Sequence, residues 1–295
     1  MKIDVRFPSN GMTLAGQVYT PDGPVGGRLP AIVVGHQTTS VKEQAGALYA
    51  ERLVGEGYVI LTFDAAYQGD SEGEPHGLEN PFQRTDDFRN AVSYLTTRDD
   101  ADPDRIGVLG VCGSGGYAPN AAQTDHRIKA VATVSAADVP TFFRSADPEG
   151  WQKMVEQSGQ WRSEEAAGKP AVLVSALPDS VDESTPEPVR EFFDYYRTPR
   201  AHHPRATNLW VARSADQLDQ FSSFEGVGKI APRPLLMIAG TRAMTLPISR
   251  DAVAKAGPAA ELFLIEGATH VDLYDRDPYV AQAVDKLKAF FGQHL

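Results

Sequence analysis

The chain's one cysteine, Cys112, sits in IGVLGVCGSGGY (106–117), where an apolar run gives way to glycines. A strand that turns sharply into a helix holds the intervening side chain outward in a strained conformation, and small flanking residues let the turn close. Gly110 and Ser114, two before and two after Cys112, meet that requirement. The N–H of Gly113, at the start of the expected helix, can donate to a developing oxyanion, and a helix N-terminus favours negative charge on sulfur. The chemistry this suggests is acyl transfer through a thioester. Packing in a core is the alternative use of a free cysteine. Ser114 is the rival nucleophile, but its register places it inside the first helical turn. A single cysteine leaves no internal disulfide and no cysteine-based zinc site.

Presenting such a side chain requires a buried strand and a covering helix, and the flanking sequence supplies both repeatedly. LPAIVVGH (29–36), YVILTFD (58–64), RIGVLG (105–110), KAVATVSA (129–136), PRPLLMIAG (232–240) and ELFLIEG (261–267) read as strands, most of them apolar throughout. VKEQAGALYAERLVGEG (41–57) has the period of a helix, with Leu48, Tyr49, Leu53 and Val54 inward. A second helix begins at Thr85 on a Thr or Asp cap and turns Phe88, Val92 and Leu95 to one face, and a third closes the chain. Alternation of this kind implies an α/β fold, a mostly parallel sheet flanked by helices. The rhythm fails between 140 and 230, where all three tryptophans lie. The expected organisation is a core of 1–139 and 231–295 with 140–230 inserted as a lid.

At 295 residues and 42% hydrophobic, the chain can bury a substantial core. Its formal charge of −11 opposes binding to phosphate backbones and anionic lipid. No apolar run approaches the roughly 20 residues that span a bilayer, and MKIDVRFPSN lacks the features of a secretory signal. A soluble, cytoplasmic protein is expected, with no cofactor or metal and no nucleic-acid or membrane partner. The expected partner is a small-molecule acyl substrate, and a homodimer is compatible with this reading.

The strand order, the GVCGSGG turn and the late GATH resemble the α/β-hydrolase fold. HQTTSVKEQAGALYAERL, FDAAYQGDSEGEP, GVCGSGGY, TVSAADV and GATHVDLYD together resemble its branch of fungal polyketide transferases and bacterial dienelactone-hydrolase-like proteins. The resemblance implies His270, after the last strand, as the base. The fold's usual G-x-x-D turn reads Gly240-Thr241-Arg242-Ala243 here, so the common acid is missing. Asp138, directly after KAVATVSA, is then the expected orienting carboxylate, with a helix cap as its alternative and Asp272 as a weaker candidate. The second oxyanion donor is expected at Gln37, with Thr38 its neighbour. Phe142, Trp151 and Trp210 are expected substrate contacts, with a small lid core as their alternative; His36 reads as loop support, with substrate contact as its alternative. Lys42 and Glu43 read as a solvated first helical turn, and Asp64 as a loop-fixing carboxylate. The activity implied is ester or thioester hydrolysis or acyl transfer. Its alternatives are a cyclase or lyase using His270 as acid and base, and a binding protein without turnover.

Overall fold

The computed structural model describes residues 1–23 and 26–295. An antiparallel hairpin opens the chain, β1 (Lys2–Ser9) pairing with β2 (Met12–Tyr19). Its turn residues Asn10 and Gly11 both take positive φ, 48° and 83°, the left-handed pair that matches the twist of a two-residue hairpin. This hairpin is not among the elements expected above. There follow β3 (Leu29–Gly35), α1 (Ala45–Leu53), β4 (Val59–Phe63), α2 (Pro81–Thr96), β5 (Ala101–Val111), α3 (Ser114–Ala122) and β6 (Ile128–Val134). The next stretch carries α4 (Val139–Ala146), α5 (Pro148–Ala166), β7 (Leu173–Ser175), α6 (Glu187–Arg197), β8 (Leu209–Val211) and α7 (Ser214–Asp219). The chain closes with β9 (Leu235–Gly240), α8 (Leu246–Ala256), β10 (Ala260–Ile265), α9 (Asp272–Asp275) and α10 (Tyr279–His294).

Eight strands form one sheet in the order β1-β2-β4-β3-β5-β6-β9-β10, parallel from β4 to β10. Among the described residues of this sheet, only the β1–β2 and β2–β4 pairings are antiparallel. Strand side chains alternate between two apolar cores, one on each face. Ala31 and Val33 of β3 join Phe88 and Val92 of α2, whereas Ile32 and Val34 join Tyr49 of α1 and Leu287 of α10. Burial on both faces explains why these strands lack a polar alternation.

Two helices start elsewhere than expected. α1 begins at Ala45 because residues 41–44 are held in a turn, the Lys42 N–H donating to Asp64 Oδ1 at 2.7 Å. α2 begins at Pro81, four residues before Thr85. Asn80 Oδ1 accepts from the N–H groups of Phe82 and Gln83, both at 3.1 Å, and proline suits the first helical position.

Between β6 and β9 the chain leaves the sheet, and β7 and β8 pair only with each other. Phe143 stacks on Trp151 and Trp210 at ring separations of 6.2 and 5.1 Å, and both tryptophans join the apolar core on the α2 face of the sheet. No helix of the described residues is long and apolar enough to cross a membrane.

Candidate active site

Cys112 lies between β5 and α3 with φ at +55°, a left-handed value uncommon outside glycine. Its neighbours are small because the turn is closed. A Cβ on Gly110 would fall 2.1 Å from the carbonyl oxygen of Ser114, and one on Gly113 would fall 2.2 Å from Thr38 Oγ1. Ser114, 2% exposed, is committed elsewhere: its hydroxyl donates to the carbonyl of His36 at 2.5 Å.

Burial pushes the Cys112 thiol above its ordinary pKa, so the resting group is S–H. The nearby Tyr274 hydroxyl and the backbone N–H groups of Gly113 and Thr38 partly oppose this shift. The backbone N–H groups nearest the sulfur are therefore those of Gly113 and Thr38. Gln37, the expected donor, does not line the cavity described below; it is fully buried, and its side-chain oxygen accepts from Ser40 at 3.1 Å. The loop after β3 turns at Thr38 and Thr39, the latter at φ +54°.

His36 braces the loops, the first of its two readings, and does not line the cavity, so its substrate contact is the reading corrected. Its Nε2 accepts from the Ala65 N–H and Arg84, each at 3.0 Å, leaving Nδ1–H to donate to the Gln37 carbonyl at 2.6 Å. Burial and the nearby Arg84 hold its pKa well below the usual value. Lys42 is likewise no part of a solvated turn. It is 4% exposed, with Nζ 2.8 Å from Asp64, 2.9 Å from Glu43 and 3.4 Å from Asp70. Asp64 also accepts from the N–H groups of Lys42 and Asp70, at 2.7 and 2.9 Å, so its carboxylate ties the two loops together.

His270 follows β10 in the loop before α9, where Ser135 Oγ pins its carbonyl at 2.8 Å. The ring is 2% exposed, and burial holds its pKa down to about 3. Its Nδ1 lies 2.7 Å from Thr245 Oγ1 and its Nε2 lies 2.9 Å from Tyr274 Oη. No carboxylate orients it. Asp138 stands at the entrance to α4, its carboxylate accepting from the Ser223 N–H at 3.1 Å and from the Thr141 hydroxyl. Asp272 accepts from the Thr269 N–H at 3.0 Å, too local to reach the ring. Thr245 and Tyr274 were not among the expected residues. Tyr274 lies one helical turn beyond His270, and Thr245 lies two residues past the Ala243 that replaces the usual acid.

Cys112 and His270 line one cavity of about 260 Å³. Thr38 and Thr39 stand beside them, and Phe142, Phe143, Val189 and Phe192 supply much of the rest of the wall. Phe142 is thus where a substrate contact was expected. Trp151 and Trp210 are not on the wall; they pack behind Phe143, and Trp151 Nε1 donates to Asp219 at 2.9 Å. Tyr196, from α6, also lines the cavity. Among the described residues no group of three His, Cys, Asp or Glu side chains could hold a metal ion.

A mostly parallel sheet, a cysteine on the turn after its central strand and a histidine after its last strand define an α/β-hydrolase fold. More narrowly, the chain belongs to the dienelactone hydrolase family, whose sequence profile matches residues 14–137, and is an enzyme hydrolytic in kind. It is 37% identical to the uncharacterized protein PA2218 of Pseudomonas aeruginosa over 97% of this chain and 78% of that one. The crystal structure of PA2218 superimposes with a TM-score of 0.94 at 35% identity, covering 100% of this chain and 94% of the other. The uncharacterized protein YcjY of Escherichia coli is 36% identical over 90% of this chain and 89% of its own. The acyltransferase drtE of Aspergillus calidoustus is 26% identical over 95% and 91%.

Proposed function

We propose that this protein cleaves an ester or thioester through an acyl-enzyme on Cys112 and passes the acyl group to water or to another acceptor. The observation that carries the reading is a sulfur on a left-handed turn in the cavity that holds His270. Cys112 Sγ attacks the carbonyl carbon, and the charge on the carbonyl oxygen is held by the Gly113 and Thr38 N–H groups. The thiol proton moves to Tyr274 Oη as the Tyr274 proton moves to His270 Nε2, while Nδ1–H donates to Thr245. The reverse transfer protonates the departing thiolate or alkoxide. The acceptor then attacks the thioester and restores the thiol. Moving the proton in step with attack suits a cavity that favours neither a free thiolate nor a free imidazolium.

Membership of a hydrolase family supports water as acceptor, and the full-length likeness to a protein named an acyltransferase supports transfer. Phe142, Phe143 and Phe192 offer the acyl group an apolar wall. Intact-protein mass spectrometry after incubation with aryl esters and N-acetylcysteamine thioesters tests the reading. The expected result is an acyl increment on Cys112 that is lost in Cys112→Ala. Turnover that persists in Cys112→Ala and vanishes in His270→Ala would replace it with a second reading, non-hydrolytic acid–base chemistry, favoured by the absence of a carboxylate on His270.

A further inference from the structure

The cavity has a polar wall residue that the steps above do not use. Asn208, immediately before β8, is 1% exposed and lines the same cavity as Cys112 and His270. Neither its side-chain nitrogen nor its side-chain oxygen has a hydrogen-bond partner in the protein. Its backbone is tied down, the carbonyl accepting from the Ala176 N–H at 2.8 Å, and its φ of +54° is one that asparagine tolerates better than most residues. The neighbouring wall is apolar, with Ala176, Leu177 and Phe143 among its residues. A carboxamide enclosed with both donor and acceptor unpaired is costly, and native proteins keep few such groups without a use.

We propose that Asn208 binds a hydroxyl or carboxamide carried on the acyl chain of the substrate. Either group both gives and takes a hydrogen bond, so it satisfies Nδ2 and Oδ1 together, whereas a ketone satisfies only Nδ2. The preferred acyl group is therefore apolar where it meets the phenylalanines and bears a donor–acceptor group where it meets Asn208. A plain hydrocarbon chain leaves the amide unpaired and is discriminated against by roughly 10- to 100-fold. The inference rests on the cavity's being the acyl site proposed above, but its test needs no reaction at Cys112.

Calorimetric titration of the full chain with unreactive N-methylamides of octanoic acid, plain and hydroxylated or oxidised to the ketone at successive positions, reads the preference directly. One hydroxylated isomer should bind roughly 10- to 100-fold more tightly than the plain amide, with its ketone counterpart between them. Asn208→Gly retains the left-handed backbone and should erase the preference. Asn208→Asp, nearly the same size, should abolish the ketone's advantage. If no hydroxylated isomer binds better than the plain amide, or if Asn208→Gly preserves the preference, the inference is overturned. A preference without any increment on Cys112 would keep the role of Asn208 and remove the acyl-enzyme; an increment without a preference would do the reverse.

Discussion

Two polar networks meet at the turn that carries Cys112, and they are built from opposite materials. The one in the cavity runs from Cys112 through Tyr274 and His270 to Thr245, and its members rest uncharged: burial raises the thiol and the phenol and lowers the imidazole. The one beneath is ionic. Lys42 joins Asp64, Glu43 and Asp70, Arg205 reaches from beyond α6 to Glu43 and Asp70, and Arg84 lies 3.3 Å from Glu79 while bracing the His36 carbonyl at 3.2 Å. Paired buried charges are costly to separate, so they hold loops in place; a chain of neutral hydroxyls around an imidazole can move a proton without first separating charge. Position and reaction are thus assigned to different chemistries a few residues apart.

The largest test of that contrast is Cys112→Ala, expected to lower kcat/KM on thioesters by on the order of 10³-fold or more while leaving the ionic network untouched. Initial rates across the substrate panel check it, and a loss smaller than about tenfold would take the sulfur out of the reaction. On the other side, Lys42→Met leaves the fully buried Asp64 carboxylate without its cation and should cost about 3–5 kcal/mol of stability in denaturant melts. Adding Asp64→Asn should recover much of it. If Lys42→Met is neutral, the lower network is not the anchor described here.

Tyr274→Phe keeps the ring and removes only the hydroxyl between sulfur and imidazole. Acylation of Cys112 should fall by about 10²-fold, the range of a lost proton-transfer group. Because that hydroxyl lowers the thiol's pKa, the pH midpoint for alkylation by iodoacetamide should also move up. An unchanged midpoint with unchanged acylation would mean that the tyrosine is only packing.

The sequence was most legible where one constraint dominates. Apolar runs such as those of β3, β4 and β9 are buried on both faces, and Cys112 stands between residues that only a tight turn requires. The hairpin of β1 and β2 was missed although Asn10–Gly11 carries its turn signal, because a strand on the sheet's edge shows its alternation less clearly than a buried run shows its continuity. The partners of the site were harder to read because they depend on contacts between distant segments. Thr245 reaches His270 from α8's entrance, and Asp138, well placed in order along the chain, is spent on Ser223 and Thr141. Lys42 and Glu43 looked solvated because nothing local announces that Asp64, Asp70 and Arg205 converge on them.

The smallest expected effect is on acid stability, and it tests whether the imidazole of the cavity network rests neutral. His270 has its folded pKa lowered to about 3, against 6.5 ordinarily, so the unfolded chain binds the proton first. The stability gained by keeping the ring neutral is complete above about pH 6.5 and is lost as pH falls toward 3. At about pH 5.5 the loss is on the order of 1 kcal/mol for this residue, and buried His36 acts in the same direction. Asp87 works oppositely: burial pushes it up to about 6, so it gains stability as pH falls from there toward 3.8 and partly offsets the histidines. Replacing His270 by Asn should therefore flatten the decline between neutrality and about pH 5.5 by on the order of 1 kcal/mol, whatever the substitution costs at pH 7. Urea melts at the two pH values measure that difference. An unaltered slope would mean that the imidazole is solvated in the folded protein, and the neutral network would lose its central member.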